Sequence, residues 1–494
     1  MKISSIRKRL LAGKRSSIAN GDCLAKLVLY TVLVVAILTQ PFAGASLQTV
    51  TVNPGDDLQQ MVLSHPPGTS FELNPGVYRL QSIVPKDGDS FRGELGAILS
   101  GAQLLTDFTR EGTYWTVETP ARRRPQYRGK CDDDRPACIY PEDLFVDDSP
   151  LQRVASLSDV VSGKWFLDYD SGKAHLANDP ANHKVEISVI PHAFSGSARE
   201  VKIRGLTIEK YASVAGEGAI QAKKPSGPLG RDWIVENNKV RLNHGVGIWA
   251  GQGMHVLNNQ VVHNGQMGLA GAGSDIVIEG NEIAFNNYAG YHYGWEAGGT
   301  KFVFTRNLVV RNNFAHDNKG PGLWTDIENS GTVYEKNHTS HNQGAGIQHE
   351  ISYQAVIRDN TIENDGFAPD PHRTGPWYGA GIVIAGSSDV EVYDNKVTDC
   401  MNGIVGRYPR RELSRSGTPY LLRNLFVHDN VITQRQGIAA GIVVSGGLSG
   451  DVFTSWGNRF VNNTFQLGDP QAKSFAWMNV LTSFANWRHE FRQD

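Results

Sequence analysis

Two short segments of the sequence place a carboxylate at the same point of a repeated pattern. They are GLWTDIE at 322–328 and GIQHEIS at 346–352, and in each an acid stands four positions after the glycine. If the segments stack in register, Asp326 and Glu350 lie side by side about 5 Å apart. Two adjacent carboxyl groups can act as a pair, with one giving a proton while the other attacks or activates water.

Stacking two like charges costs free energy unless a shared proton, a bound cation or a nearby basic side chain offsets it. A purely structural protein could avoid this cost with Thr or Asn, which favours a functional role for Asp326 and Glu350. The alternative is that both carboxylates point into bulk water, where their repulsion is small.

Three insertions near these acids are rich in groups that bind sugars and charges. They are GYHYGWEAGGTKF at 290–302, DGFAPDPHRTGPWYGAG at 365–381 and GRYPRRELSRSGTPY at 406–420. Tryptophan rings suit the apolar faces of sugars, and arginine suits carboxylate-bearing sugars. The predicted groove residues from these insertions are His292, Trp295, Glu296, Lys301, Arg373, Trp377 and Arg407.

Two further groove residues are predicted beside the acids themselves. Trp324 lies among small neighbours in its strand column, which favours contact with a ligand. His349 precedes Glu350 directly, although consecutive strand residues face opposite ways and only one of the two can fill a groove.

The elements that must position these residues repeat along the chain. Each unit carries an asparagine after an alternating β-branched segment, and consecutive units are 21 to 24 residues long apart from a few insertions. The predicted column of asparagines is Asn238, Asn259, Asn281, Asn313, Asn337, Asn360, Asn395, Asn430 and Asn463.

No unit has the ten or more periodic residues that a helix requires, and the units lack the leucines of leucine-rich repeats. Short strands that stack on like strands of the next unit form a coil of parallel sheets. We therefore predict an all-β fold, a right-handed parallel β-helix with its asparagines stacked as an internal ladder. This places Asn337 inside the coil, so its NHT motif is not read as a glycosylation site.

The asparagine-ladder units over residues 196–470 resemble the right-handed β-helix (pectin-lyase-like) superfamily of secreted bacterial proteins. The segment 46–101 is similar to the N-terminal cap and first coil of such proteins, with a short helix from Asp56. Residues 102–195 resemble the β-rich insert of several β-helix glycosidases. Residues 471–494, with aromatic residues near helical spacing, predict a helical C-terminal cap.

The N-terminus predicts export. Residues 1–45 contain a basic region, an apolar run from Leu27 to Leu38 and the cleavage-like sequence Ala43-Gly44-Ala45. A secreted or periplasmic protein without a membrane segment after cleavage is expected, and an uncleaved N-terminal anchor is the alternative. Cys131 and Cys138 could close a disulfide loop in such a compartment, and Cys400 would stay single.

The charge balance narrows the partners. The formal net charge is -2, which argues against a nucleic-acid ligand. We expect a monomer that acts on a polysaccharide or oligosaccharide.

Three functions fit the sequence. A glycoside hydrolase would use Asp326 and Glu350, with Glu296 as a third acid, and is preferred. A uronate lyase or C5-epimerase would use Lys301 as base and Arg407 as electrostatic partner, and resemblance to β-helix lyases implies Ca²⁺ held by Glu296, Asp326 and Glu350. The third alternative is a non-catalytic carbohydrate-binding or scaffold protein. No cofactor is required by the preferred function.

Overall fold

The computed structural model describes residues 49–494 except 122–126, 224–228, 368–378, 410, 412 and 446–448. The predicted targeting segment 1–45 lies outside the described residues, as do Arg373 and Trp377. Among the helices in the described part of the chain, none combines the length and the hydropathy that a membrane crossing requires.

The described chain winds into a parallel β-helix whose successive coils build three long sheets. The first sheet has 13 described strands, which all pair in parallel. In sheet order these are Thr49–Val52, Ser70–Leu73, Ser90–Gly93, Lys202–Arg204, Ile234–Glu236, His255–Leu257, Val277–Glu279, Val309–Arg311, Thr332–Glu335, Tyr353–Arg358, Ser388–Tyr393, Arg423–His428 and Arg459–Val461.

The second and third sheets have 12 described strands each. The second comprises Gly76–Arg79, Ala97–Ser100, Thr207–Glu209, Lys239–Arg241, Gln260–Val262, Glu282–Ala284, Phe314–His316, His338–Ser340, Thr361–Glu363, Lys396–Thr398, Val431–Gln434 and Thr464–Leu467. The third comprises Phe194–Ser195, Gly218–Gln221, Val246–Ala250, Met267–Ser274, Gly298–Arg306, Leu323–Asp326, Ile347–Glu350, Ile382–Ala385, Ile404–Tyr408, Ala440–Val444, Phe475–Trp477 and Val480–Thr482.

The core lies inside the coil because alternate side chains of each strand point inward. In the first sheet, one inward position forms a continuous stack of buried residues through nine coils. Its members are Ile203, Val235, Val256, Ile278, Val310, Tyr334, Ile357, Val392 and Val427.

The predicted asparagine ladder is confirmed. The side-chain Nδ2 of Asn238 donates to Oδ1 of Asn259 at 3.0 Å, and the same bond repeats from coil to coil up to Asn463. Each Oδ1 also accepts the backbone N–H of the asparagine before it, as between Asn238 and Asn259 at 3.0 Å. The ladder therefore pairs polar groups at the turn that would otherwise be buried without partners.

A second ladder runs parallel to the first and was not predicted. Its side-chain amides link Asn243, Asn264, Asn286, Asn318 and Asn342, and it ends on the carboxylate of Asp365. The sequence carries its signal, because each of these residues follows a member of the first ladder by five positions.

The predicted short helix near the N-terminus spans Leu58–Ser64, and the side chain of Asp57 caps it by accepting from the N–H of Gln60 at 3.0 Å. The other described α-helices are Tyr293–Glu296, Asp451–Thr454 and Phe484–His489.

Two small sheets lie between the first coils and the main β-helix. One joins Ser149–Pro150, Leu144–Val146, Val185–Ser188 and Ala102–Leu105, and the other joins Gln152–Arg153, Lys164–Asp168, Lys173–Leu176, Tyr114–Glu118 and Thr109–Glu111. A 3-10 helix covers Leu157–Asp159. Within this insert Cys131 and Cys138 form a disulfide, and Cys400 is a buried free thiol.

The predicted C-terminal helical cap is only partly correct. Phe484–His489 is helical, but Trp477 and Leu481 lie on two antiparallel strands. Met478 and Asn479 both have positive φ, at 52° and 60°. A two-residue turn of this kind favours a hairpin over a continuous helix.

Candidate functional site

Asp326 and Glu350 are the last residues of neighbouring strands in the third sheet and stand in register. Thr325 and His349, which precede them, point into the coil and are fully buried. Strand alternation therefore turns both carboxylates to the outer face. The predicted pairing of the two acids on adjacent coils is present in the structure.

Asp326 and Glu350 are both buried, at 8% and 5% exposure. The Nζ of Lys301 lies 2.9 Å from Oδ2 of Asp326, whereas Oδ1 of Asp326 is buried and has no hydrogen-bond partner among the described residues. Burial and the charge of Glu350 raise the pKa of Asp326 while Lys301 opposes the shift, and the resulting pKa is about 6. A carboxyl group in this setting can hold a proton near neutral pH.

Glu350 is held in a different way. Its Oε1 forms an ion pair with Arg411, and its Oε2 accepts from the Nε2 of Gln348 at 2.7 Å. A guanidinium and an amide on the two oxygens fix the orientation of the carboxylate.

Charged residues continue beyond Asp326 along the outer face of the third sheet, which we call the floor. Lys301 also lies 3.7 Å from Oε1 of Glu296, and Oε2 of Glu296 lies 3.0 Å from Nη2 of Arg128. Positive and negative groups therefore alternate from Arg128 to Asp326. Only Asp326 and Glu350 are like-charged neighbours, which makes this pair the place where a proton or a ligand is needed.

Trp324 does not present the open platform that the sequence predicted. Its side chain is buried at 4% exposure, and Nζ of Lys301 lies 4.2 Å from the ring centroid. The indole therefore supports Lys301 by a cation–π contact. Trp295 is partly exposed and lies under Arg128, whose guanidinium carbon is 5.3 Å from the ring centroid.

His349 does not face the groove, so the prediction that it binds substrate is wrong. It lies inside the coil, where its Nδ1 is 2.7 Å from Oγ1 of Thr325, which in turn accepts from the hydroxyl of Tyr334 at 3.0 Å. Complete burial lowers the pKa of His349 to about 3. The ring is therefore neutral at physiological pH and acts as an internal support beneath the acids.

Two more predicted residues have defined places. His292 caps the short helix Tyr293–Glu296, since its Nδ1 accepts from the N–H of Gly294 at 3.2 Å. Arg407 stands two strands beyond Glu350, with Ala385 between them in the same column. Their roles in binding or catalysis stay predictions.

The first insertion contributes both a short helix, which contains Gly294, and part of the floor. The insertion at 290–302 contains a coil strand, Gly298–Arg306, which carries Lys301. Lys301 is therefore part of the floor and not of a surface loop.

The predicted calcium site is not supported by this geometry. Within the described part of the chain, no group of three or more acidic, histidine or cysteine side chains is arranged to hold a metal ion. Glu296, Asp326 and Glu350 each have a Lys or Arg side chain against their carboxylate oxygens.

Two walls flank this floor. Arg128 comes from the insert, next to the disulfide loop, and His244 fixes that loop through Nε2, 2.8 Å from the carbonyl oxygen of Cys138. The opposite wall is formed by the described residues of the segment 408–420, which exclude 410 and 412. It is fixed by Glu328, whose Oε1 accepts from the N–H of Arg415 at 2.7 Å and from the hydroxyl of Tyr420 at 3.3 Å.

Sequence reasoning missed three residues of the site. Gln348 shares the outward face of Glu350 two positions away, so the strand period contained its signal. Arg411 lies in an arginine-rich insertion. The composition of this insertion predicted a groove wall, but it did not indicate that Arg411 pairs with Glu350. Arg128 lies in a basic run whose sequence did not indicate a place in the site, because its contact with Glu296 spans 168 positions.

The fold has known counterparts. A family model described as "Right handed beta helix region" matches residues 219–397. The chain folds as a right-handed parallel β-helix. No curated protein sequence is significantly similar to this β-helix.

Solved structures resemble the β-helix over most of its length at low sequence identity. The complex of XylC with xylose is 15% identical and has a TM-score of 0.63, covering 83% of this chain and 79% of XylC. The A-module of the mannuronan C-5 epimerase AlgE4 of Azotobacter vinelandii is 13% identical, with a TM-score of 0.49 and coverages of 85% and 91%. The GH136 lacto-N-biosidase of Eubacterium ramulus is 12% identical, with a TM-score of 0.45 and coverages of 85% and 68%.

Proposed function

We propose that this protein is a glycoside hydrolase in which Asp326 and Glu350 cleave the glycosidic bond. The proposal rests on the pairing of these acids in register, with Lys301 against Asp326 and Arg411 against Glu350. Two carboxyl groups whose environments separate their protonation states can divide the acid and base work between them.

Asp326 is proposed as the proton donor. It is the acid whose pKa is raised, to about 6, and its buried Oδ1 has no protein partner in the described chain. A glycosidic oxygen placed against the carboxyl group of Asp326 would receive the proton as the bond to the anomeric carbon breaks. Lys301 on Oδ2 keeps the carboxyl group in one orientation.

Glu350 is proposed as the nucleophile. The guanidinium of Arg411 and the amide of Gln348 contact its two oxygens and fix its direction. Adjacent parallel strands are about 4.8 Å apart, and short carboxylate separations of about 5 to 5.5 Å are typical of retaining enzymes. Attack on the anomeric carbon gives a glycosyl ester, and Asp326 then takes the proton of the water that hydrolyses it.

The proposed substrate is a saccharide, and the proposed location is outside the cytoplasm. The Cys131–Cys138 disulfide supports an oxidising compartment. XylC binds xylose in the structure named above, so xylo-oligosaccharides are the first substrates to assay.

A lyase or epimerase is the second candidate, and Lys301 favours it. Lys301 lies on the floor between Glu296 and Asp326, where its neutral amine form could take the proton next to a uronate carboxylate. Arg411 would then pair with that carboxylate.

One assay separates these candidates. The purified protein is incubated with neutral and uronic-acid saccharides while reducing ends and the ultraviolet absorbance of unsaturated products are recorded. The proposal expects reducing ends without that absorbance, and a first product that keeps the anomeric configuration by NMR. Absorbance would support a lyase, and changed uronate stereochemistry without bond cleavage would support an epimerase. Binding without any reaction would support a non-catalytic protein.

A further inference from the structure

The outer face of the third sheet is closed on the C-terminal side of the acids. Ala385 pairs with Glu350, and Val383 and Val405 are the next residues of the adjacent column. All three are at most 1% exposed. They belong to an apolar cluster separate from the main core, whose buried members are Ala345, Ala380, Val383, Ala385, Val405, Ile438 and Ala476.

The segment 408–420 lies over the edge of this closed region. A Cβ atom added to Gly386, the residue after Ala385, would be 3.7 Å from atoms of both Pro409 and Tyr420. From the same segment Arg411 reaches Glu350. The covered residues directly beyond Glu350 therefore leave no accessible surface there for a sugar unit.

The N-terminal side is different. Ala272 and Val303 occupy the positions that precede Asp326 in its column, as the register of Gly271 with Phe302 shows, and both are partly exposed. These side chains are short and leave an accessible strip of floor.

A polar and aromatic group stands at the far end of this strip. Trp249 is partly exposed and shares a column with Ala270 and Lys301. It lies three strands before Asp326, which corresponds to about 14 Å at the strand spacing of a sheet. Nζ of Lys223 is 4.3 Å from its ring centroid.

Lys223 has an unusual setting for a surface lysine. Its Nζ donates to the carbonyl oxygen of Gly216 at 3.2 Å, and burial lowers the pKa of its ammonium group. The carboxylate of Glu217 is close by and lies 3.3 Å from Nε2 of the buried His192. An indole beside a carboxylate and an ammonium group offers the mixture of apolar and hydrogen-bonding contacts that a sugar ring requires.

We propose that the groove is one-ended, so that the enzyme removes the terminal unit of a saccharide whose remaining units extend over Ala272 towards Trp249 and Lys223. The terminal unit lies against Glu350 and Arg411, beyond which the face is closed. This inference rests on the proposed hydrolase function. The bond that breaks joins the anomeric carbon of the terminal unit to the next sugar, and water supplies the hydroxyl group and the proton.

The test uses the full-length protein with xylo-oligosaccharides of two to six units and, in parallel, alginate oligosaccharides of the same lengths. Binding is measured by calorimetry and products by mass spectrometry from the first turnovers. The variants are Trp249→Ala and Lys223→Met. The matched control is Trp115→Ala, since Trp115 is a partly exposed tryptophan of the insert with Arg110 at 5.8 Å from its ring.

The expected first products of the hexamer are one single sugar and the pentamer. Trp249→Ala should weaken binding of the four- to six-unit saccharides by about 10-fold and of the dimer by less than about 2-fold. Lys223→Met should act in the same direction, and Trp115→Ala should change neither. Mixed internal fragments, or equal weakening at every length, would overturn the proposal.

The two proposals fail in different ways. Length-dependent binding that Trp249→Ala removes, without any turnover, would refute the hydrolase and with it the release of a terminal unit, while the direction of binding would stand. Turnover without length dependence would leave the hydrolase intact and refute the one-ended groove. Absence of both binding and turnover would refute both.

Discussion

Asp326 and Glu350 stand opposite each other on adjacent strands, and a cation holds each of them from its outer side, Lys301 on Asp326 and Arg411 on Glu350. With Arg128 on Glu296, the row holds three cations and three acids, so its formal charges balance. The charge of Glu350 still raises the pKa of the adjacent Asp326, and a proton on Asp326 relieves the repulsion within the pair.

Replacing either acid should abolish turnover. Asp326→Asn and Glu350→Gln are each expected to lower kcat by at least about 100-fold, because general acid and nucleophilic steps contribute factors of this size. Asp326→Asn should retain more activity on an aryl glycoside with an acidic leaving group, which needs no proton donor. Glu335→Gln is the control, since Glu335 also pairs with an arginine, at 2.7 Å from Arg358, but in the first sheet. Unchanged turnover in both site variants would show that the acids are not catalytic.

Lys301→Met should move the pH dependence of the reaction. The charge of Lys301 lowers the pKa of Asp326, so its removal should raise that pKa above about 6. Because a proton donor acts in its protonated form, the alkaline limb of kcat/KM should shift to higher pH. A shift of the acid limb instead would identify Asp326 as the nucleophile. The exposed Lys239→Met is the control, and an unmoved profile in Lys301→Met would contradict the coupling.

Asp365→Asn should stabilise the protein at neutral and alkaline pH. Burial raises the pKa of Asp365 from 3.8 to about 7, so the folded state binds its proton more tightly than the unfolded state. The stability from this proton is complete below about pH 4 and is lost as pH rises through 7. The variant should therefore gain up to about 4 kcal/mol at pH 8, and less at pH 5, in denaturant unfolding. Asp389→Asn, at an exposed position, should show no such trend, and a constant difference across pH would refute the explanation.

Breaking the ladder should destabilise the β-helix. The Nδ2 of Asn337 donates to the carbonyl of Val310 at 2.9 Å and to Asn360 at 3.0 Å, and Asn337→Ala leaves buried partners unsatisfied. We expect a loss of about 2 to 3 kcal/mol in the free energy of unfolding. Asn53→Ala, which removes an exposed bond to Asn74, should cost much less. Equal effects in the two variants would argue against the ladder as a source of stability.

A chelator should leave turnover unchanged. Lys and Arg side chains already lie against the oxygens of Glu296, Asp326 and Glu350, where the sequence predicted Ca²⁺. Activity that is lost with chelator and restored by added Ca²⁺ would restore the calcium hypothesis. The reducing-end assay with and without chelator measures this directly.

The repeat explains which features could be predicted from the sequence. The asparagine spacing predicts the coil, the ladder and the register of Asp326 with Glu350, because stacked units place equivalent positions next to each other. The sequence predicts Lys301 in a loop, because the insertion before it interrupts the repeat that would indicate the strand Gly298–Arg306. The partners Arg128 and Arg411 come from outside the repeat, and no local pattern links them to the acids.

His349 shows a further limit. Its sequence position beside Glu350 predicted a groove residue, but strand alternation places it inside, bonded to Thr325. Trp324 and Lys301 likewise pack on each other and not on open space. Which side chains pack on each other and which remain accessible depends on contacts between coils, and the sequence of a single strand does not determine these contacts.

One wall contains Arg128 and the other contains Arg411, so the two walls are far apart in sequence. The acids between them belong to consecutive coils. Chemistry and selectivity are thus encoded by separable parts of the gene. Exchanging the wall residues other than Arg128 and Arg411 for those of another β-helix would change which molecules reach the acids without shifting the acids themselves. New specificities could therefore evolve by insertion while the reaction is conserved.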